Sequence, residues 1–172
     1  SNLPHLSIQL TEGLGCDPKL ADVVYDRINE MDDFTRQMSE GIVGVLLVKA
    51  GTKSEYDDCA WFGTLGQMVE SKLGSGYVVE VAQSHYGDPT MQFAVGKLIN
   101  DRGADVIVCV PYVFFPGLIL QRNIVGSINE LQSTYPHVNM IITPPLGVDD
   151  RIVKVAADRI RNVWHEENLA NP

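Results

Sequence analysis

Apolar and polar positions divide the chain into two alternating kinds of segment. Short runs dominated by Val, Ile and Leu at about 43–48, 77–82, 105–111 and 138–143 are continuous, the pattern of strands buried on both faces. Each is followed by a longer stretch with apolar residues three and four apart, predicting helices at about 55–72, 88–101, 117–134 and 149–166. In the third of these, Ile124, Ile128, Leu131 and Tyr135 fall at i, i+4, i+7 and i+11. Such alternation predicts the α/β class, a doubly wound parallel sheet with helices on both faces. Ligands of these sheets bind outside the C-terminal ends of the strands, where four loops should meet: 49–54, 83–89, 112–117 and 143–147.

The two ends of the chain repeat one another. "HLSIQLTEGLGCDPKLADVVYDRINEM" (5–31) aligns without gaps on "HVNMIITPPLGVDDRIVKVAADRIRNV" (137–163). Nine of the twenty-seven positions are identical: His5/His137, Thr11/Thr143, Leu14/Leu146, Gly15/Gly147, Asp17/Asp149, Val23/Val155, Asp26/Asp158, Arg27/Arg159 and Ile28/Ile160. Each copy reads as a strand (6–10 and 138–142), a glycine turn, an aspartate able to cap a helix, and the helix itself. Leu20, Val23, Val24, Ile28 and Met31 form the apolar face of the first helix. Ile152, Val155, Ala156, the Arg159 stem, Ile160 and Val163 form that of the second. A spacing of 132 positions is too long for a solenoid unit and matches a small domain. Residues 1–40 are therefore expected to be the closing strand and helix of a preceding repeat plus a polar linker at 32–41, and residues 41–172 one complete domain. The opening Ser1-Asn2, without methionine, fits a processed or excised chain.

Composition narrows the function. The 172 residues carry a formal charge of −9 and no Lys/Arg block, which argues against binding nucleic acid through its phosphates. No apolar run reaches the length of a membrane helix and no signal peptide opens the chain, so no membrane partner is expected. Three scattered cysteines without a CxxC pair fit a reducing, cytoplasmic setting, with Cys109 a small buried hydrophobe inside its strand. No phosphate-binding loop is present, so no nucleotide or other cofactor is expected.

The candidate chemistry lies at the loop edge. "GVLLVKAGTKS" (44–54) is a strand running into a glycine turn, yet Ala50 at its tip offers no reactive group. His85, in "SHYGDP", is the one histidine expected at that edge, either in a site or in a loop hydrogen bond. It is also the one candidate metal ligand, although metal sites usually need several converging donors. His5 and His137 precede their strands at the opposite edge, and His165 falls in the last turn of its helix. Thr52 and Ser54 are placed to cap the 55–72 helix. Tyr56-Asp57-Asp58 at its start suits the helix dipole better than a metal, and Trp61 and Phe62 are expected in a core or interface. Glu80 would be a buried carboxylate, either lining a cleft or paired structurally. Phe114, Phe115, Pro116 and Leu118 form an apolar lip.

Taken in order, "VLLVKAGTKS", "VVEVAQSHYGDPTM", "RGADVIVCVPYVFFPGLILQRNI" and "HVNMIITPPLGVDDRIVKVAADRI" resemble the sirohydrochlorin cobaltochelatases of the CbiX type. These are class II chelatases of cobalamin and siroheme synthesis. The resemblance covers 42–166 as one domain and 5–31 as the end of another, and is most specific in "GADVIVCVPYVFFPG" and "PPLGVDDRIV". Long members of that family are two such domains in tandem, facing each other across a tetrapyrrole cleft. This chain resembles the C-terminal half of one.

The resemblance implies two metal-handling histidines, one in a Gly-His-Gly-Ser loop after the first strand and one in a Gly-x-His context after the third. The matching positions here hold Ala50 and Ile119. Neither side chain can accept a pyrrole proton or hold a divalent ion, as a neutral imidazole does. The expectation is a catalytically degenerate half whose partner, an N-terminal chelatase half or a second copy of the chain, supplies the histidines. The substrates implied are a sirohydrochlorin-like tetrapyrrole and Co²⁺, with Fe²⁺ or Ni²⁺ as alternatives. The residues expected to line the cleft are Lys49, Gly51, Thr52, Lys53, His85, Phe115, Pro116, Gly117 and Arg122. Lys49, Lys53 and Arg122 would meet the macrocycle's carboxylates or else be solvated surface charges. Two other readings stay open: a non-enzymatic tetrapyrrole- or metal-binding scaffold, and an autonomous chelatase with ligands displaced to His85.

Overall fold

The computed structural model describes residues 8–38, 41–53 and 59–170, with side chains up to Trp164. The elements in chain order are α1 (Pro18–Asn29), α2 (Asp32–Met38), β1 (Ile42–Lys49), α3 (Ala60–Leu73), β2 (Tyr77–Gln83), α4 (Met91–Asn100), β3 (Ala104–Tyr112), α5 (Gly126–Thr134), β4 (Asn139–Ile142) and α6 (Asp150–Ala170). A π-helical segment, Ile119–Val125, runs directly into α5. The four strands are all parallel, in the order β2–β1–β3–β4. This is the doubly wound α/β sheet that the apolar runs predict.

The central strands β1 and β3 send alternate side chains to opposite faces. Val43, Val45, Leu47, Val106, Val108 and Val110 face one core, where α1 and α3 pack. Leu46, Val48, Ile107 and Cys109 face the other, covered by α4, the π-helical segment and α5. Burial pushes the Cys109 thiol up, so this cysteine is an inert core residue. Among the described residues, no helix is long and apolar enough to cross a membrane.

The N-terminal segment departs from expectation in three ways. Residues 8–10 form no strand, and Ile8 and Leu10 are 79% and 90% exposed, because neither edge of this sheet pairs with them. The polar stretch expected as a linker contains α2 instead. Asp32 and Asp33 suit its first turn, Arg36 pairs back to Asp32 at 3.1 Å, and Thr35 is buried. The Tyr77 hydroxyl donates to the Asp32 carboxylate, fastening α2 to β2. Finally, α1 buries Leu20, Ala21, Val23, Val24 and Ile28 in the same core as β1, β3 and α3.

The two repeat copies fold alike at their turns. Gly15 and Gly147 both take positive φ (59° and 71°), where only glycine is unstrained. Asp17 then accepts from the Lys19 amide at 2.9 Å, and Asp149 from the Arg151 amide at 2.8 Å. The Arg151 guanidinium also binds Asp149 and holds its carboxyl down at about 2. The copies differ in what their helices meet. Val155 is buried, but Ile160 is 61% exposed where its counterpart Ile28 is 1% exposed.

A second departure is the start of α3. It begins at Ala60, so Thr52 does not cap it, while Ser54 and Tyr56-Asp57-Asp58 lie outside the described residues. The capping residue is Cys59, buried and left-handed at φ 60°, with no side-chain cap; its carbonyl accepts from the Phe62 and Gly63 amides. Along the open edge of the sheet, Glu80 of β2 pairs with Lys97 (2.9 Å) and Arg102 (3.1 Å). Arg102 also holds Glu70 (2.8 Å), whose other oxygen accepts from the Val79 amide. Glu80 thus has the paired structural role of the two foreseen for it.

Two outcomes are expected. In urea unfolding, Ile28→Ala should cost about 2–4 kcal/mol, and Ile160→Ala less than about 0.5 kcal/mol in this chain. Burial and the bond to Asp32 push the Tyr77 hydroxyl up to about 12 from 10.0. The unfolded chain therefore releases this proton first, so the stability it contributes is complete below pH 10 and drains away up to about pH 12. Tyr77→Phe should flatten that part of the stability–pH curve.

Candidate functional site at the C-terminal edge of the sheet

The loops following β1, β2, β3 and β4 converge as expected, and main-chain bonds fix their order. The Ser84 amide donates to the Lys49 carbonyl (2.9 Å), joining the first two loops. The Leu146 amide donates to Val113 (2.9 Å), joining the last two. Gly51 lies so close to the second loop that a Cβ there would overlap the His85 carbonyl. The glycine retained beside Ala50 is thus a contact point between loops.

His85 occupies the middle of this edge. Its Nδ1 is 3.0 Å from the Asn123 amide nitrogen and 2.7 Å from the Ser84 hydroxyl. An amide nitrogen only donates, so Nδ1 is the acceptor and the proton of the neutral ring sits on Nε2. Nε2 is then a hydrogen-bond donor, suited to a carboxylate; a metal ion would have to displace that proton first. The ring packs edge-on against Tyr86 (centroids 4.5 Å apart), and the Lys53 ammonium sits over the Tyr86 ring at 4.7 Å. Tyr86 is held left-handed at φ 59° and is 61% exposed. A non-glycine residue in that region costs about 1 kcal/mol or more, and such positions cluster at sites that bind.

The other expected residues are distributed as follows. Lys49 is only 6% exposed, its ammonium 3.4 Å from the Gln83 side-chain oxygen and 5.9 Å from the Trp61 ring. Thr52 is half-buried, and Lys53 and Arg122 are exposed. In the lip, Phe114 turns toward the first core, while Phe115, Pro116, Gly117 and Leu118 are exposed. Val113, Phe114, Phe115, Gly117, Leu118, Ile119 and Leu120, without Pro116, line an open apolar groove of about 450 Å³. On the other side of Phe114, a second apolar hollow of about 690 Å³ is lined by Leu14, Cys16, Trp61, Tyr112 and Arg159. Trp61, Phe62 and Tyr112 form one aromatic cluster at 5.2–6.1 Å. Burial pushes the Tyr112 hydroxyl up. Ala50 and Ile119 stand in the first and third loops, and Ile119 is 39% exposed. His137 is exposed, before β4. His5 lies outside the described residues, and α6 runs five residues past His165.

Among the described residues, no three His, Cys, Asp or Glu side chains converge as a metal site. Sequence reasoning missed Asn123 and Tyr86. Asn123 lies in the π-helical segment, whose wider turn departs locally from the i+3/i+4 spacing used to read a face.

A doubly wound parallel sheet with an apolar, histidine-bearing loop edge is the architecture of a class II chelatase-like fold. The CbiX family model matches residues 44–163, and the chain belongs to the CbiX family. It is 31% identical over 129 residues to a protein of Sulfolobus acidocaldarius named sirohydrochlorin cobaltochelatase, covering 75% of this chain and 98% of that one. It is 30% identical over 129 residues to a protein of the same name from Priestia megaterium, covering 74% of this chain and 40% of that one. Among solved structures, SirB from Bacillus subtilis with Fe³⁺ superimposes with a TM-score of 0.65 at 19% identity, covering 88% of this chain and 56% of SirB. The cobalt complex of the sirohydrochlorin chelatase SirB from the subspecies spizizenii gives 0.57 at 16% identity, covering 88% and 52%. The chain thus spans nearly all of the Sulfolobus relative but about half of SirB.

Two substitutions test the geometry. Gly51→Ala should force the first loop off the second, lowering the melting temperature by several degrees and shifting the His85 ring resonances. Asn123→Leu should leave the fold intact but remove the Nε2–H preference of His85, visible in the ¹⁵N shifts of the ring.

Proposed function

We propose that this chain forms one wall of the tetrapyrrole cleft of a sirohydrochlorin chelatase, with the metal-handling histidines supplied by a second, homologous half. The reaction inserts a divalent ion, Co²⁺ in the first instance, into sirohydrochlorin as two pyrrole N–H protons leave. This wall contributes binding. The exposed lip and the apolar surfaces beside Phe114 match the flat face of a macrocycle. Lys53, Arg122 and the Nε2–H of His85 match its carboxylates. The observation that carries the reading is the pairing of this retained edge with Ala50 and Ile119, the positions where the resemblance puts histidines. The shared name of the curated relatives supports the substrate class.

One observation favours a second reading. The Sulfolobus relative is covered over 98% of its length, so a chain of one-domain size carries that name. An autonomous enzyme would then work from His85. Purified chain mixed with sirohydrochlorin and Co²⁺, followed by absorbance, decides between them. Insertion at the rate of a protein-free control, together with tetrapyrrole binding weakened about tenfold by Lys53→Ala plus Arg122→Ala, is the expected result. Insertion well above control that is lost in His85→Ala would replace the proposal with the autonomous enzyme.

A further inference from the structure

The internal repeat presents one corner of the fold twice, closed in one copy and open in the other. In the closed copy Arg27 of α1 donates to the Leu146 carbonyl at 3.1 Å, and Leu146 is buried. The repeat partners of these two residues are Arg159 and Leu14. Among the described residues no such bond joins them: Arg159 pairs with Glu12 at 3.0 Å, and Leu14 is only half-buried. Both line the hollow of about 690 Å³ beside Phe114, together with Cys16, Trp61 and Tyr112. Lys53, His85 and Arg122, the polar groups of the wall described above, do not line it.

Shape and unused donors together say what the hollow takes. Trp61, Tyr112 and Phe114 bring three aromatic rings to it, a surface on which a flat apolar body stacks. The Tyr112 hydroxyl and the Arg159 Nε are buried and have no hydrogen-bond partner among the described residues. A buried O–H or N–H left without an acceptor costs stability, and Nε–H can only donate, so the group that completes this corner is an acceptor. Charge narrows it further. The Arg159 guanidinium is held by Glu12, whose side chain is 80% exposed, and an ion pair of that kind contributes little. A carboxylate from a ligand can take the place of Glu12 and engage the guanidinium through two oxygens. Gly13, between Glu12 and Leu14, has open space where a Cβ would stand, so this turn can shift without collision.

We propose that this hollow is a binding site for a planar aromatic carboxylate, its ring against Trp61, Tyr112 and Phe114 and its carboxylate on Arg159 in place of Glu12. The turn at 12–16 yields as the acid enters, which opens the two buried donors to its oxygens. The closed corner at Arg27 and Leu146 is the same device with a main-chain carbonyl as the acceptor. The site does not rest on the chelatase reading, because neither a metal ion nor insertion chemistry enters it. Its test is therefore separable from the chelatase assay.

Cys16 supplies the readout. It lines the hollow, whereas Cys59 and Cys109 are buried, so iodoacetamide labelling of the folded chain, resolved by mass spectrometry, reports on Cys16. The probe is 2-naphthoate, with 2-naphthamide as its uncharged control. Saturating 2-naphthoate should slow Cys16 alkylation roughly fivefold or more, and the amide should need about tenfold higher concentration for the same protection. Arg159→Gln should weaken the acid by about tenfold, and Glu12→Gln should tighten it. Tyr112→Phe should weaken binding while leaving the melting temperature of the free chain unchanged or higher, since it removes an unpaired hydroxyl; a merely structural tyrosine would not behave so. Repeating the titration with sirohydrochlorin present separates the sources of the carboxylate: undiminished protection marks a free acid, and competition marks an arm of the macrocycle. Equal protection by acid and amide that survives Arg159→Gln overturns the proposal. So does the absence of saturable protection in natively folded chain.

Discussion

The structure depends on one constraint: β1 and β3 are buried on both faces, so both faces of the sheet need a helical layer. Residues between the strands supply only part of it. α4 and the π-helical segment with α5 complete one face, while α3 covers β2 and β1 on the other. The space over β3 is filled by α1, which arrives from the far end of the chain. Five apolar side chains buried there explain why a segment that reads as the tail of another repeat is integral to this core.

Packing of that kind also fixes the loop edge. The edge is held by the Ser84–Lys49 and Leu146–Val113 main-chain bonds and by the contact of Gly51 with His85. The position of the first loop therefore resides in backbone and glycine contacts, to which the Ala50 side chain adds no hydrogen bond. Lys49 acts on the same loop from inside. Its ammonium lies under Trp61 and against Gln83, where it braces the first loop from within.

What the sequence revealed follows from which forces are local. Continuous Val/Ile runs located all four strands to within about two residues, because burial on both faces leaves its mark on every position. The repeat disclosed α1 and α6 and their turns, since Gly15, Gly147, Asp17 and Asp149 act on neighbouring backbone. The features that were missed depend on distant partners. α2 is polar in composition and is held by Tyr77, forty-five positions from Asp32. The helix after residue 54 starts late, at a left-handed Cys59 that no capping pattern announces. Asn123 meets His85 from a π-helical segment, which a 3.6-residue period does not show. Ile160 reads as part of the apolar face of α6 because composition and spacing are local, yet it is exposed while Val155 on that face is buried.

The ion network along β2 has a consequence beyond the domain's own packing. β2 is an outer strand, and an outer strand presents unpaired amides to any extended chain that passes. Here Glu70 already occupies the Val79 amide, and Arg102 bridges Glu70 to Glu80 across the strand. An incoming strand would have to displace the Glu70 carboxylate that Arg102 holds in place. This places a guard against runaway sheet growth on one flank of the domain.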